Sequence, residues 1–331
     1  MKIALAQLDY HIGNFAENTG SIVLAIEKAR IEKADLVVFS ELSICGYPPL
    51  DLLERKEFVL QSISEIKKIA NVCDTIGAII GGPSLNPAGE GKMLCNSAYF
   101  LFGGEIKQVV NKSLLPTYDI FDEYRYFEPN RVFSLLHFKN KKIALTICED
   151  LWDDQPVENE FARRRLYTRH PLEELCKHGP DLVINIAASP FSHTRMELKK
   201  GIFTGKAKKH CLPVIYVNQV GAQTQLIFEG GSMAVDGKGN IISQLAFFSP
   251  EIRIIDTDDL DGTHTPAPES NPDRIGMIHD ALVSGIKGYF SKMNFTKAVL
   301  GLSGGIDSAL TLVLAARALG KDNVHAILMP S

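Results

Sequence analysis

The sequence predicts an α/β sandwich with mixed sheets, followed by the opening of a second α/β unit. Three observations carry this expectation. Short apolar runs of strand length alternate with stretches of helical spacing from Lys2 to about Asn218. Hairpin signals interrupt that alternation at Gly103-Gly104 and at Asp236-Gly237, which argues against a purely parallel, doubly wound sheet. From Asp256 the stretch DTDDLDGTHTPAPESNPDR is acidic, Pro-rich and poor in apolar residues, and reads as a linker.

Taken in order, Lys2 to Leu8 reads as a first buried strand. Asn14 to Lys33 is a helix with Ile22, Leu24, Ala25, Ile26 and Ala29 on its apolar side. Leu36 to Phe39 is a second strand, ending on Ser40 and Glu41, and the Gly-Tyr-Pro-Pro run after it excludes helix and makes a rigid turn. Glu57 to Cys73 returns to helical spacing. Thr75 to Gly82 is a third strand, closed by Gly81-Gly82-Pro83, and Leu94 to Phe102 a fourth. Gly103-Gly104 turns the chain into Ile106 to Val110, which ends on Asn111 and Lys112.

In the middle of the chain, Arg131 to Phe138 and Lys142 to Ile147 are neighbouring strands, and Phe161 to His178 is a helix. Asp181 to Ala187 is a strand ending on Ala188-Ser189-Pro190, Glu197 to His210 a helix with one basic face, and Pro213 to Asn218 a strand. Gly230 to Val235 and Ile241 to Ala246 form a hairpin. Beyond the linker, Ile275 to Met293 is helical, Ala298 to Leu302 a strand, Ile306 to Ala318 a helix rich in Ala and Leu, and Val324 to Met329 a strand. The expected organisation is a first domain at 1–260, a linker at 261–274 and the N-terminal fragment of a second domain at 275–331. A β-α-β stretch this short does not close a core alone.

Composition excludes several classes of function. Of 331 residues, 45% are hydrophobic and 22% charged, as in an ordinary protein with a sizeable core. The net charge of -4, with no long basic run, gives no footprint for nucleic acid or an anionic membrane surface. The N-terminus lacks the apolar stretch and cleavage site of a signal peptide, and no window has the length of a membrane span. The 6 cysteines are scattered, with neither a C-x-x-C pair nor zinc-like spacing. A reduced, cytoplasmic protein is expected.

One stretch concentrates reactive chemistry. In KKIALTICEDLWDD an apolar strand delivers Cys148 directly into Glu149 and Asp150. Glu41 and Lys112 also stand at the ends of predicted strands, the edge where ligands gather in α/β architectures. A glutamate could take and return a proton, a lysine ammonium could favour a thiolate or an oxyanion, and a cysteine could carry an acyl group. The competing reading is a buried free thiol with two unrelated strand-end residues, and spacing alone leaves both open. Further on, Val299-Leu300-Gly301-Leu302 runs into Ser303, Gly304, Gly305, Ile306, Asp307 and Ser308. This strand, small-residue turn and helix start could cradle phosphate on backbone N–H groups, yet it has no Walker-type lysine; an ordinary βα turn is the alternative.

The blocks FSELSICGYPPLDLL, NKSLLPTYDIFDEYRYFEPN and LTICEDLWDD resemble the nitrilase, or carbon-nitrogen hydrolase, superfamily, from residue 1 to about 260. Gly-Tyr-Pro-Pro-x-Asp-Leu-Leu and Cys-Glu-Asp-Leu-Trp resemble the branch formed by glutaminase domains of glutamine-dependent NAD synthetases. SGGIDS resembles the pyrophosphate loop of ATP pyrophosphatases, and the helix and strand before it resemble the entry to the synthetase domain.

The resemblance implies a nitrilase-like α-β-β-α sandwich followed by a truncated Rossmann-like adenine nucleotide α-hydrolase segment. It implies Glu41, Lys112 and Cys148 as the catalytic set, with Glu123 as a second glutamate that holds Lys112 and helps relay protons. Tyr118, Glu149, Ser189 and Arg195 match positions that bind glutamine. Residues 303–308 match the ATP loop, with Asp307 near magnesium. Relative to the family, extra residues lie between Trp152 and Pro180. The implied reaction hydrolyses glutamine and uses the ammonia, with ATP and Mg²⁺, to convert deamido-NAD to NAD in a homo-oligomer. The chain is expected to retain only the glutaminase half, and so to hydrolyse glutamine without making NAD. A free-standing amidase and a non-catalytic binding module are the alternatives; the module would require Glu41, Lys112 or Cys148 to lie outside a common cleft.

Overall fold

The computed structural model describes residues 1–154, 166–264 and 273–329. The elements are, in order, β1 (Lys2–Gln7), α1 (Phe15–Ile31), β2 (Leu36–Val38), α2 (Lys56–Ala70), β3 (Gly77–Leu85), β4 (Leu94–Phe102), β5 (Glu105–Asn111) and α3 (Glu123–Tyr126). They continue with β6 (Leu136–Phe138), β7 (Lys141–Ile147), α4 (Pro171–Cys176), β8 (Leu182–Ile186), α5 (Met196–His210), β9 (Val214–Val217), β10 (Val220–Gln223) and β11 (Leu226–Glu229). The last are β12 (Met233–Val235), β13 (Ile241–Gln244), β14 (Glu251–Asp256), α6 (Arg274–Lys292), β15 (Ala298–Leu302), α7 (Ile306–Leu319) and β16 (Val324–Leu328).

Two 6-stranded sheets make the body, in the orders β14-β1-β2-β3-β4-β5 and β13-β12-β9-β8-β7-β6. Both are mixed. In the first, β1, β2 and β3 are parallel and β14, β4 and β5 join antiparallel. In the second, β7, β8 and β9 are parallel and β6, β12 and β13 join antiparallel. The alternation of the strands explains the layers. Ile3 and Leu5 of β1, with Leu36 and Val38 of β2, face the second sheet, where Ile143, Leu145 and Ile147 of β7 meet them. Ala4, Ala6 and Val37 point the other way, onto Ile22 and Ile26 of α1 and Ile66 and Ile69 of α2. Since both faces of the strand are covered, its sequence is a continuous apolar run rather than an alternating one. This is the α-β-β-α sandwich the sequence predicts.

Local chemistry sets the helix starts. Asn14 caps α1 through its side chain, which accepts from Glu17 N at 3.3 Å. Asp273 does the same for α6, accepting from the backbone N–H groups of Ile275 and Gly276. That helix packs on the first unit rather than standing apart from it: Lys292 Nζ donates to Asp9 Oδ1 at 2.6 Å, Tyr10 O at 2.8 Å and Ala222 O at 2.8 Å. Beyond it, β15 and β16 pair in parallel with α7 against them. Val299, Ile306, Leu310 and Leu328 stay exposed there, so this β-α-β unit does not bury a core of its own.

Several expectations need correction. Gly81-Gly82-Pro83 does not close the third strand: β3 continues through it, paired with β4 as far as Leu85 opposite Leu94. A Cβ on Gly81 would lie 2.3 Å from Leu42 N and 2.5 Å from Ser40 O, so Gly81 permits a close approach of backbones instead of a turn, while Gly82 makes room for the Ile66 and Ile44 side chains. The strand expected over Arg131 to Phe138 shrinks to β6. Of the helix expected over Phe161 to His178, residues 161–165 lie outside the described residues, and the described part is helical only over α4, which starts at Pro171. The extra segment between Trp152 and Pro180 and the linker at 261–274 likewise lie partly outside the described residues. Three strands were not anticipated: β10 and β11, which form a separate 2-stranded sheet, and β14, which pairs with β1 along its whole length.

Gly81→Ala is expected to destabilise the protein by about 1–3 kcal/mol through overpacking against the Glu41 segment. Gly20→Ala, on an exposed turn of α1 with open space around it, should instead add about 0.5–1 kcal/mol. Denaturant unfolding of both variants checks the pair, and a Gly81→Ala protein as stable as wild type would refute the close-approach argument.

Candidate active site

Glu41, Lys112 and Cys148 each follow a strand by a few residues at most: β2, β5 and β7. Two strands come from one sheet and the third from the other, so the site lies where the sheets meet. Lys112 is the centre. Its ammonium is fully buried and donates to Glu41 Oε1 at 2.7 Å and to Glu123 Oε1 and Oε2 at 2.9 and 2.7 Å. Burial alone would lower its pKa, but Glu123 and Glu41 outweigh burial and hold it well above the ordinary lysine value. The ammonium is permanent.

Each carboxylate is held by further donors. Glu41 Oε1 also accepts from Asn96 Nδ2 at 2.7 Å, and its Oε2 accepts from the Ala188 N–H at 3.0 Å. Glu123, at the start of α3, accepts from Tyr47 OH at 2.9 Å. Burial pushes Glu123 up to about 7, against the pull of Lys112 and with the push of Glu41.

Cys148 turns out of β7 with a left-handed backbone, φ 43°. A non-glycine residue there costs on the order of 1–3 kcal/mol, which its surroundings must offset. Asp150 does so: its buried carboxylate accepts from Ile147 N at 3.1 Å, Ser113 N at 2.9 Å and Leu114 N at 2.8 Å. One side chain thereby ties the cysteine turn to the segment that follows Lys112. The Cys148 thiol is raised well above its usual pKa, first by burial and then by Glu41, with Lys112 pulling the other way. At neutral pH it is a thiol.

Cys148 opens into a cavity of about 360 Å³ whose wall also includes Tyr118, Glu149, Ser189 and Arg195. The residues matched to glutamine binding therefore share one cavity with the cysteine. Glu149 is buried and accepts from Tyr118 OH at 2.8 Å and Tyr167 OH at 2.9 Å. Burial raises its pKa, while Lys112 and the two phenols oppose the shift. Ser189 is fixed through its backbone, its N–H donating to Asn218 Oδ1 at 2.9 Å. The Arg195 guanidinium sits 5.9 Å from the Tyr118 ring centroid. The cavity thus carries an acid at one side and a guanidinium at another.

Sequence reasoning missed Tyr47, Asn96, Asp150, Tyr167 and Asn218 as parts of this arrangement. Asn96 had a signal, because an amide inside the apolar strand LCNSAYF must find partners when buried. Tyr167, in the segment after Trp152, had none.

Ser303, Gly304, Gly305, Ile306, Asp307 and Ser308 form the turn from β15 into α7 and contribute nothing to the wall of that cavity. Gly304 is left-handed, φ +85°, with open space around it, and Ser308 Oγ donates to Gly305 O at 2.9 Å. The turn and the first residues of α7 are exposed apart from Ser308, which is half-buried. Among the described residues, Asp153, Asp154 and His170 form a group with metal-ligand spacing, but the Lys206 ammonium donates to both aspartates and fills it. No described helix is long and apolar enough to cross a membrane.

The α-β-β-α sandwich is a nitrilase-like fold, and the carbon-nitrogen hydrolase family pattern matches residues 2–158. The NAD synthase pattern matches residues 278–331. The chain is 42% identical over 335 residues to a glutamine-dependent NAD(+) synthetase of Synechocystis sp., covering 99% of this chain and 59% of that protein. It is 32% identical to the counterpart from Thermotoga maritima, over 100% of this chain and 60% of the relative. The glutamine-dependent NAD+ synthetase of Acinetobacter baumannii, solved with ADP, superposes with a TM-score of 0.86 at 32% identity over 99% of this chain and 59% of that one. An amidase from Nesterenkonia sp. shares the fold, with a TM-score of 0.64 at 22% identity over 77% of this chain and 89% of that one. Over its whole length the chain is thus similar to glutamine-dependent NAD(+) synthetases, and it carries matches to both the carbon-nitrogen hydrolase and the NAD synthase families. It spans about three fifths of the length of the relatives it matches. The expectation of a chain reduced to the glutaminase half is not supported, because part of the NAD synthase domain is present.

Lys112→Met should cost about 3–5 kcal/mol at neutral pH, since it strands two buried carboxylates. Glu123 is pushed up to about 7 by burial even with Lys112 pulling against the shift, and goes higher still without the lysine. It therefore takes up its proton in the folded variant, and the penalty shrinks as pH falls toward the unfolded glutamate value. Unfolding curves at pH 7 and pH 4 test this, and a penalty that does not change with pH would contradict the charge argument.

Proposed function

We propose that the first unit hydrolyses glutamine through a thioester on Cys148, and that the ammonia serves ATP-dependent amidation of deamido-NAD to NAD. The observation that carries this reading is the buried Lys112, clamped by Glu41 and Glu123 beside a thiol that opens into a cavity holding both Glu149 and Arg195. A glutamine side-chain amide reaching Cys148 would leave its α-carboxylate for Arg195, which can pair in a two-pronged contact, and its α-ammonium for Glu149. Tyr118 orients Glu149, and Ser189 lines the same wall.

The thiol must lose its proton as it attacks, because burial and Glu41 hold it protonated at rest. Glu41 takes that proton while the Cys148 sulfur bonds to the amide carbon. The oxyanion that forms draws on the Lys112 ammonium. Collapse breaks the C–N bond, with the proton on Glu41 passing to the leaving nitrogen, so ammonia departs and a thioester remains. Water, deprotonated by Glu41, then cleaves the thioester and releases glutamate, and the proton returns to the sulfur. Glu123 keeps Lys112 charged and in place throughout.

For the second step, the exposed turn of residues 303–308 fits a phosphate chain, since open space at Gly304 lets a ligand approach the backbone at the start of α7. ATP bound there, with Mg²⁺ near Asp307, would supply the energy of adenylation. A single carboxylate does not make a magnesium site, so the phosphates would complete it. A cytoplasmic setting suits a cysteine that must stay reduced, and a homo-oligomer is part of the proposal. The free-standing amidase is the weaker reading: the Nesterenkonia amidase shares the fold at 22% identity over 77% of this chain, whereas the relatives matched over 99–100% of it are glutamine-dependent NAD(+) synthetases.

Ammonia release from glutamine tests the reading directly. Cys148→Ala should lower it by on the order of a thousandfold or more. Arg195→Ala should raise KM about 10–100-fold, the loss of a charged contact. Glu123 supplies a pH signature: its carboxylate is ionised only above about 7, so kcat/KM should fall as pH drops through that value. Glu123→Gln should remove this limb. Equal ammonia release by wild type and Cys148→Ala would refute the nucleophile assignment.

A further inference from the structure

Of the charged side chains that line the cavity beside Cys148, Asp119 and Lys199 have no task in the reaction above, and of these two Lys199 is the buried one. It lies one turn beyond Arg195 on α5 and is only 6% exposed. Its ammonium donates to Glu229 Oε1 at the end of β11, where Glu229 is 2% exposed. Glu229 Oε2 has no hydrogen-bond partner among the described residues. A buried ion pair that leaves one acceptor unfilled contributes little net stability, because desolvation of both charges offsets their attraction. An apolar pair of similar volume would serve packing as well.

Position supplies the reason for the pair. The Lys199 N–H donates to Arg195 O at 2.8 Å, so the two residues share the first turn of α5. Arg195 stands at the N-cap of that helix without a side-chain capping bond. Its guanidinium is 41% exposed and, among the described residues, its ion-pair contact is Asp119 at 3.9 Å, a loose one. The place of the guanidinium is therefore set mainly by where the backbone of α5 begins. Two links fix that backbone to β11: the Phe191 N–H donating to Ile227 O at 2.7 Å, and the Lys199–Glu229 pair. Phe191 lies between Ser189 and Arg195, so the whole segment that meets the substrate hangs from this strand.

We propose that the Lys199–Glu229 pair is a positioning device for Arg195, and that it sets the affinity of the site for the α-carboxylate of its substrate. The pair binds no substrate atom. It holds the start of α5 against β11 so that the guanidinium is in place before the amino acid arrives, which lowers the ordering cost of binding. The inference rests on the glutaminase reading given above.

Lys199→Met alone leaves Glu229 buried and unpaired, so the decisive variant is Lys199→Met/Glu229→Gln, which removes both charges. Its KM for glutamine should rise about tenfold, within the range of couplings between contacting residues, while kcat stays within about twofold. Lys199→Arg should restore KM toward wild type. In an Arg195→Ala background the double substitution should raise KM no further, since the pair acts through that arginine. A wild-type KM, a parallel loss of kcat, or a rise that persists without Arg195 would each overturn the proposal; the last would mean that Lys199 binds substrate itself. Wild-type protein that releases no ammonia from glutamine would sink the glutaminase reading and the inference together, whereas normal release with an unchanged KM in the double variant would sink the inference alone.

Discussion

A buried ammonium is the constraint around which this site is built. Lys112 cannot lie in the interior without compensation, since removing a charge from water costs several kcal/mol even after relaxation. Its partners are two carboxylates, and these carry the same requirement outward. Glu41 is completed by the Asn96 amide and the Ala188 N–H, and Glu123 by the Tyr47 phenol. The result is a connected polar core in which both carboxylates and the ammonium are held by further partners, although Asn96 Oδ1 has none among the described residues. It also decides the state of Cys148. With two acids around one lysine, a thiolate would add negative charge to a cluster that is already acidic, so the resting sulfur keeps its proton. On the proposed reading a base is then needed at the moment of attack, and Glu41 is available for that role.

The sandwich makes such a network buildable. Glu41 and Lys112 leave one sheet and Cys148 leaves the other, so the groups come from rigid strand ends on either side of a packed interface. Asp150 joins the halves through three backbone N–H groups, two after Lys112 and one before Cys148. Its pKa is pushed to about 7 by burial, with those N–H groups acting against the shift. The left-handed turn at Cys148 is thus set by an anchor that reaches across the interface. Gly81 performs the matching service for Glu41, since only a residue without a Cβ lets β3 run this close to the glutamate's backbone.

What was legible in the sequence follows from range. Glu41, Lys112 and Cys148 could be picked out because each is a charged or reactive residue at the end of an apolar run, a local pattern. The strands that carry them were visible for the same reason, as both faces are buried. Asn96 and Tyr47 could not be placed, because their partners lie 55 and 76 residues away and nothing near them in the chain announces the contact. Gly81 was misread because glycine at a turn and glycine at a close approach look alike in sequence. The hairpin β10–β11 was missed because its strands are 4 residues each and one contains glycine. Strand β14 was missed because its burial is partial and its apolar run short.

That hairpin changes how the two units relate. Composition breaks at Asp256, and a domain boundary drawn there treats α6 as foreign to the first unit. Packing does not respect that break. Lys292, near the end of α6, is held by Asp9, Tyr10 O and Ala222 O, and Gly288 lies against Ala222 so closely that a Cβ would be 3.0 Å away. Leu226 and Ile227 of β11 line the Cys148 cavity and also a second cavity beneath α6. A single thin layer of two short strands therefore separates the candidate glutamine site from the first helix of the synthetase segment, and the same strand carries Glu229. Any displacement of α6 must press on this layer, because β10 is gripped by Lys292 and β11 is paired to β10 along its length. The sequence boundary marks where apolar composition thins, whereas packing against the first unit continues along α6 as far as Lys292.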